Sequence, residues 1–252
     1  MNITAEDKEQ FHLACKKLRE EERCRLGIGT LSEKTVHAVL KNYLVPRPEF
    51  HEVKCEGYVA DILFEDEIFE IQTANFNKLR NKLERFLKEY EVTIVYPIPA
   101  TKWLYWINQE TGECSQKRKS PKRGSYYQSF YELYKIKPFL SHPKLHIRLI
   151  LVDVEEYRLL NGIRRNGKKD SVRYDRIPIS LVGDLMMNSV EDYVALIPDQ
   201  LPDVFTSKEY AKATKLNLRQ AQCGLHVLHE VGVVVRVGKN GNAFLYQKAV
   251  LL

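Results

Sequence analysis

The sequence has no apolar run long enough to cross a membrane. Its acidic N-terminal segment lacks the cationic and apolar order of a secretory signal. A spanning protein is therefore not expected; a cytoplasmic one, away from the membrane, is. Cysteine is sparse. Cys15, Cys24, Cys55, Cys114 and Cys223 are scattered, odd in number and never spaced as CxxC. That argues against a zinc site or a disulfide framework and for reduced thiols. Positive charge is missing altogether from residues 177–203, which hold five Asp/Glu.

The cations lie elsewhere. Residues 1–114 are net acidic, with 16 Lys/Arg against 20 Asp/Glu. Residues 115–176 reverse this, with 16 against 6, and residues 204–252 hold 7 against 2. An acidic part followed by two basic parts suits a phosphodiester substrate: carboxylates recruit metal and cations grip the backbone. The length of 252 residues allows one large or two modest domains.

The acidic part is organised around residues 58–72, Tyr-Val-Ala-Asp-Ile-Leu-Phe-Glu-Asp-Glu-Ile-Phe-Glu-Ile-Gln. Alternation predicts two short strands around a Glu65-Asp66 turn. Pairing about that turn sets Asp61 opposite Glu70, with Cβ atoms roughly 4.5–5.5 Å apart. Like charges so placed are destabilising, and a divalent cation between them would relieve the repulsion. A third carboxylate, Glu33, falls on the apolar stripe of a predicted helix over residues 31–44, near its N-terminus, where a lone charge is costly.

Glu33 on a helix, Asp61 on a strand and Glu70-Ile71-Gln72 on the next strand resemble the PD-(D/E)XK nuclease superfamily over about residues 25–110. The resemblance implies an α/β, restriction-endonuclease-like core of helix, three-stranded meander, helix and strand, with a mixed sheet flanked by helices. The meander would start at residues 50–55, the second helix would span 75–90, and the next strand 92–96. Two positions depart from the family pattern. Gln72 stands where the family usually has lysine, and Ala60 where it usually has proline. Lys78 or Lys82 on the following helix would then supply the missing charge. The chain as a whole also resembles an uncharacterised bacterial family.

A capped amphipathic helix is predicted over residues 4–25, from Thr4 and Asp7. Residues 102–108 and 113–117 read as a hairpin. Residues 116–124 read as a basic loop, in which Lys117, Arg118, Lys119, Lys122 and Arg123 are candidate phosphate contacts. Most of the aromatics in 126–134 are assigned to the core. Residues 145–154 form a strand, with Asp153 at its end, and residues 161–176 an exposed basic loop. His142 and His146 are separated by Pro143 and read as structural. Residues 198–203 read as a linker, dividing a domain at 1–200 from one at 204–252.

The order helix, turn, helix, hairpin in 204–249 resembles a small winged helix-turn-helix domain. It implies DNA contacts from the N-terminal part of the second helix, at Arg219, Gln220 and Gln222, and from the wing tip, at Lys239 and Asn240. Similar in order is the transposon end-cutting endonuclease subunit. The expectation is a Mg²⁺- or Mn²⁺-dependent DNA endonuclease, with Glu33, Asp61 and Glu70 as metal ligands and Gln72 beside them; a homodimer is compatible with it. Two rivals are a DNA-binding regulator on an inactive nuclease fold and a protein–protein adaptor.

Overall fold

The computed structural model describes residues 3–24, 34–163 and 169–250. It is a mixed α/β protein with a seven-stranded sheet of order β1-β2-β3-β4-β6-β7, in which β5 also pairs with β4. A separate three-stranded sheet has the order β8-β10-β9. The strands of the large sheet are β1 (His51–Cys55), β2 (Tyr58–Phe64), β3 (Glu67–Ile71), β4 (Glu91–Asn108), β5 (Arg118–Lys119), β6 (Leu145–Ile163) and β7 (Lys169–Met187). Those of the small sheet are β8 (Val204–Thr206), β9 (Val234–Asn240) and β10 (Ala243–Lys248). The helices are α1 (Ala5–Cys24), α2 (Lys34–Leu44), α3 (Arg80–Phe86), α4 (Phe130–Lys135), α5 (Ser207–Thr214) and α6 (Leu218–Glu230). The chain divides into two compact units.

The first unit comprises Met1–His51, Pro97–Ser125 and Ile150–Asp184. Thr4 and Asp7 cap α1 reciprocally: the Asp7 amide donates to the Thr4 hydroxyl at 3.1 Å and the Thr4 amide to the Asp7 carboxylate at 2.8 Å. Phe11 of α1 meets Tyr43 of α2 edge-on, with ring centroids 5.3 Å apart. The remainder of this unit is strand. β4 does not stop at residue 96 but runs on through Pro97 and Pro99 into the predicted hairpin. The ladder with β3 ends at Ile71 and Val95, so both prolines fall where no donor to β3 is required. β6 and β7 likewise extend beyond expectation. Arg173 and Arg176 stand on β7, not in a loop, and Asp153 lies inside β6, not at its end. Arg164, Arg165 and Lys168 lie outside the described residues.

The second unit comprises Glu52–Tyr96, Tyr126–Leu149 and Leu185–Leu252. It contains the meander β1-β2-β3, whose ladder pairs Ile62 with Phe69, Leu63 with Ile68 and Phe64 with Glu67. Asn75, at φ 62°, breaks the chain before the next helix. Asn tolerates that left-handed conformation better than most residues. A short 3₁₀ turn, Phe76–Leu79, and α3 follow in place of one continuous helix over 75–90. Phe76, Leu79, Leu83 and Phe86 point inward. β4 then returns parallel to β3. α5 and α6 both open on complete capping boxes, Thr206 with Glu209 and Asn217 with Gln220. α6 packs on α4, where Gly224 lets the Phe130 ring approach: a Cβ there would stand 2.7 Å from a ring carbon.

Candidate functional site

Continuing the β2–β3 register by one step puts Asp61 opposite Glu70. The backbone locks the first of these, since the Ile71 amide donates to Asp61 Oδ2 at 2.8 Å. Glu70 is buried, at 2% exposure, and α3 provides its counter-charge. Lys82 Nζ donates to Glu70 Oε1 at 2.9 Å and to Oε2 at 2.7 Å. The ammonium also lies 5.8 Å from the centre of the Phe86 ring. Burial, then the neighbouring Asp61 charge, push the Glu70 carboxyl up to about 7, although Lys82 pulls the other way. Burial, then Glu70, likewise raise the Cys55 thiol.

Of the two candidate charge donors, Lys82 reaches inward to Glu70. Lys78 remains exposed. The Gln72 backbone amide donates to the Val95 carbonyl at 2.9 Å, and its side-chain amide donates to the Ala74 carbonyl. Glu33 lies outside the described residues. Among the described residues no three His, Cys, Asp or Glu side chains form a metal-holding group; Asp61 and Glu70 are a pair. His146 bonds Glu91 at 2.9 Å and the Asn188 carbonyl at 3.1 Å, and His142 accepts from the Lys144 amide at 3.2 Å.

The basic segment is more structured than a loop. Arg118 and Lys119 form β5, paired with Leu104 and Trp103. Lys117 bonds Glu155 at 2.9 Å, and Lys117 and Lys119 lie 4.8 and 5.2 Å from the centre of the Trp103 ring. The Arg123 guanidinium donates to the Thr101 hydroxyl. Lys122 is exposed. Gly124 closes the segment against β4, where a Cβ would sit 2.0 Å from the Pro99 carbonyl oxygen.

In the C-terminal module Arg219 and Gln222 are exposed on α6. Gln220 is committed to the helix cap, accepting from the Asn217 amide at 3.3 Å. Lys239 and Asn240 belong to β9, and only Gly241 and Asn242 form the tip. A concavity of about 560 Å³ lies between α6 and this hairpin, lined in part by Lys208, Gln222, His226, Arg236, Asn240 and Phe244. Arg236 stacks on the Phe244 ring at 4.2 Å.

The sequence profile of a family described as Domain of unknown function (DUF8091) matches residues 34–188. The chain belongs to the DUF8091 family. The matched stretch of this DUF8091 chain holds Asp61, Glu70, Lys82 and the basic segment, and it ends before the C-terminal module. An "Uncharacterized protein" of Treponema pallidum (strain Nichols) is 27% identical over 225 residues, which is 88% of each chain. No solved structure matches the DUF8091 chain.

Proposed function

We propose that the chain is a metal-dependent DNA endonuclease of PD-(D/E)XK type. The observation that carries this reading is the buried Glu70, facing Asp61 across β2 and β3 and bridged by Lys82 from the next helix. Three features of the fold support it: the antiparallel meander, the helical crossover and the return of β4 parallel to β3.

The donor set is two carboxylates, oxygen ligands suited to Mg²⁺ or Mn²⁺. Asp61 and Glu70 would hold the ion. When bound, such an ion makes its water a nucleophile at neutral pH and neutralises phosphate charge. The Ile71 amide keeps Asp61 oriented. Lys82 holds Glu70 in place, and its ammonium would be the positive charge beside a phosphate. That supplies the charge Gln72 cannot provide. In the C-terminal module the strand order β8-β10-β9 and the capped α6 support a winged helix reading, with Arg219 and Gln222 facing the groove.

A second reading, a DNA-binding regulator on an inactive fold, is favoured by one contact, the Gln72 amide turned back onto Ala74. Nicking of plasmid, branched and single-stranded DNA in Mg²⁺, Mn²⁺ or EDTA separates the two. The nuclease reading requires divalent-dependent nicking that Glu70→Ala abolishes while duplex affinity is kept. Salt-dependent affinity without nicking favours the regulator, and no affinity at all defeats both.

A further inference from the structure

Glu156, on β6, is a buried carboxylate, at 0% exposure. Arg158 Nε donates to its Oε1 and Arg176 Nε to its Oε2, each at 2.8 Å. One guanidinium would have satisfied both oxygens in a fork. Here two are used, each through Nε, which leaves their terminal amino groups. Arg158 spends one on the Ser171 hydroxyl at 3.4 Å. The two arginine side chains keep 34% and 24% of their surface exposed.

Lys102, on β4, adds a third cation. Its pKa is lowered by burial and by the charges of Arg176, Arg158 and Lys122, against the opposing pull of Glu156. Among the described residues no carboxylate lies within ion-pair distance of Lys102 or Lys122. Three cations, Arg158, Arg176 and Lys102, thus gather around a single acid. Neutralising Glu156 requires one. The surplus is a standing electrostatic cost, and an anion would remove it.

We infer that Lys102, Arg158 and Arg176, arranged around Glu156, form a cradle for a backbone phosphate of nucleic acid. Guanidiniums fixed at Nε present planar donors of the kind phosphate oxygens accept. Glu156 is the positioning residue, and the three cations are the contacts. The cradle meets the basic segment at Lys122, whose charge acts on Lys102. The assignment to nucleic acid rests on the proposed DNA reading; the phosphate cradle itself does not.

The test uses the full-length chain in EDTA, with Lys102→Gln, Arg176→Gln and Arg176→Lys beside wild type. Inorganic phosphate and pyrophosphate are titrated in thermal denaturation, and labelled duplex in anisotropy at several salt concentrations. Lys102→Gln removes a crowded cation and so should melt no lower than wild type. It should also lose the phosphate-induced rise in Tm, bind duplex about tenfold more weakly and flatten the salt slope by about 0.9. Arg176→Lys should restore less than half of what Arg176→Gln loses, since an ammonium lacks the fork. Wild-type duplex affinity that Lys102→Gln leaves unchanged overturns the cradle and spares the DNA reading. A phosphate response lost in Lys102→Gln, with no duplex affinity in wild type, keeps the cradle as a free-phosphate site and overturns its nucleic-acid assignment.

Discussion

Lys82 sets one ammonium against both oxygens of Glu70, so its removal should matter in proportion to the charge on that carboxylate. The Glu70 carboxyl is raised from its ordinary 4.5 to about 7. Between those values the folded chain holds a proton that the unfolded chain releases. This contribution to stability is complete below about pH 4.5 and is lost as pH climbs through 7. Lys82→Met should therefore cost little at pH 5.5 and up to about 3 kcal/mol at pH 8, where an unpaired buried carboxylate remains. Urea unfolding at both values measures this, and an equal cost at the two would mean that Glu70 is not the group exposed by the loss. Glu156 titrates in the opposite sense. Burial raises its pKa, but Arg176 and Arg158 overcome this and hold it below the ordinary range. Its contribution is present above that range and is lost as pH falls through the depressed value. Glu156→Gln should flatten the acid limb of the stability profile while costing about 3 kcal/mol at pH 7. Unfolding titrations between pH 3 and 7 check both features.

Among the elements, α6 is fixed at both its start and its middle. Its Asn217–Gln220 capping box satisfies first-turn amides, and Asn217→Ala should cost about 1 kcal/mol. Gly224 sits mid-helix, where alanine would ordinarily gain about 1 kcal/mol. Here the added carbon would meet the Phe130 ring at 2.7 and 2.8 Å, and that ring is itself buried at 1% exposure. The clash should win, so Gly224→Ala is expected to destabilise by about 1–2 kcal/mol. Combining it with Phe130→Leu should recover part of the loss. Thermal or urea unfolding of the two singles and the double gives the coupling, and purely additive effects would show that α4 and α6 do not meet through this pair.

Across the whole molecule, charge is segregated along the chain, and the fold decides which cations remain available. Lys117 is engaged by Glu155 and Arg123 by Thr101. Within the basic segment, the grip on a polyanion should fall mainly to Arg118, Lys119 and Lys122. Changing these three to Gln should flatten the salt dependence of duplex binding by roughly 0.9 unit for each phosphate left without its cation. Changing Lys117 and Arg123 should do less. Anisotropy titrations from low to moderate salt distinguish the two sets, and a larger effect from the engaged pair would reverse this ranking.

Elements whose signals act over a few residues are legible in the sequence. Alternation and the Glu65-Asp66 turn specify the β2–β3 hairpin and the facing of Asp61 and Glu70, because a strand's two-residue period leaves little choice of register. Thr4 and Asp7 specify the start of α1, because a cap acts within one turn. Strand length is not legible. Pro97 and Pro99 look like terminators, and residues 169–176 look like a basic loop; each is strand because neighbouring strands supply the pairing that propensity omits. Lys82 is a candidate on sequence, but its spacing on α3 fits a solvated face equally well. Glu156 with Arg158, Arg176 and Lys102 has no signature in the sequence, because β4 lies far from β6 and β7 in the chain and Arg176 reads there as part of a basic loop. Folding brings them together: burying one carboxylate in a sheet demands compensating charge, and the strands that pack beside it determine which residues provide it.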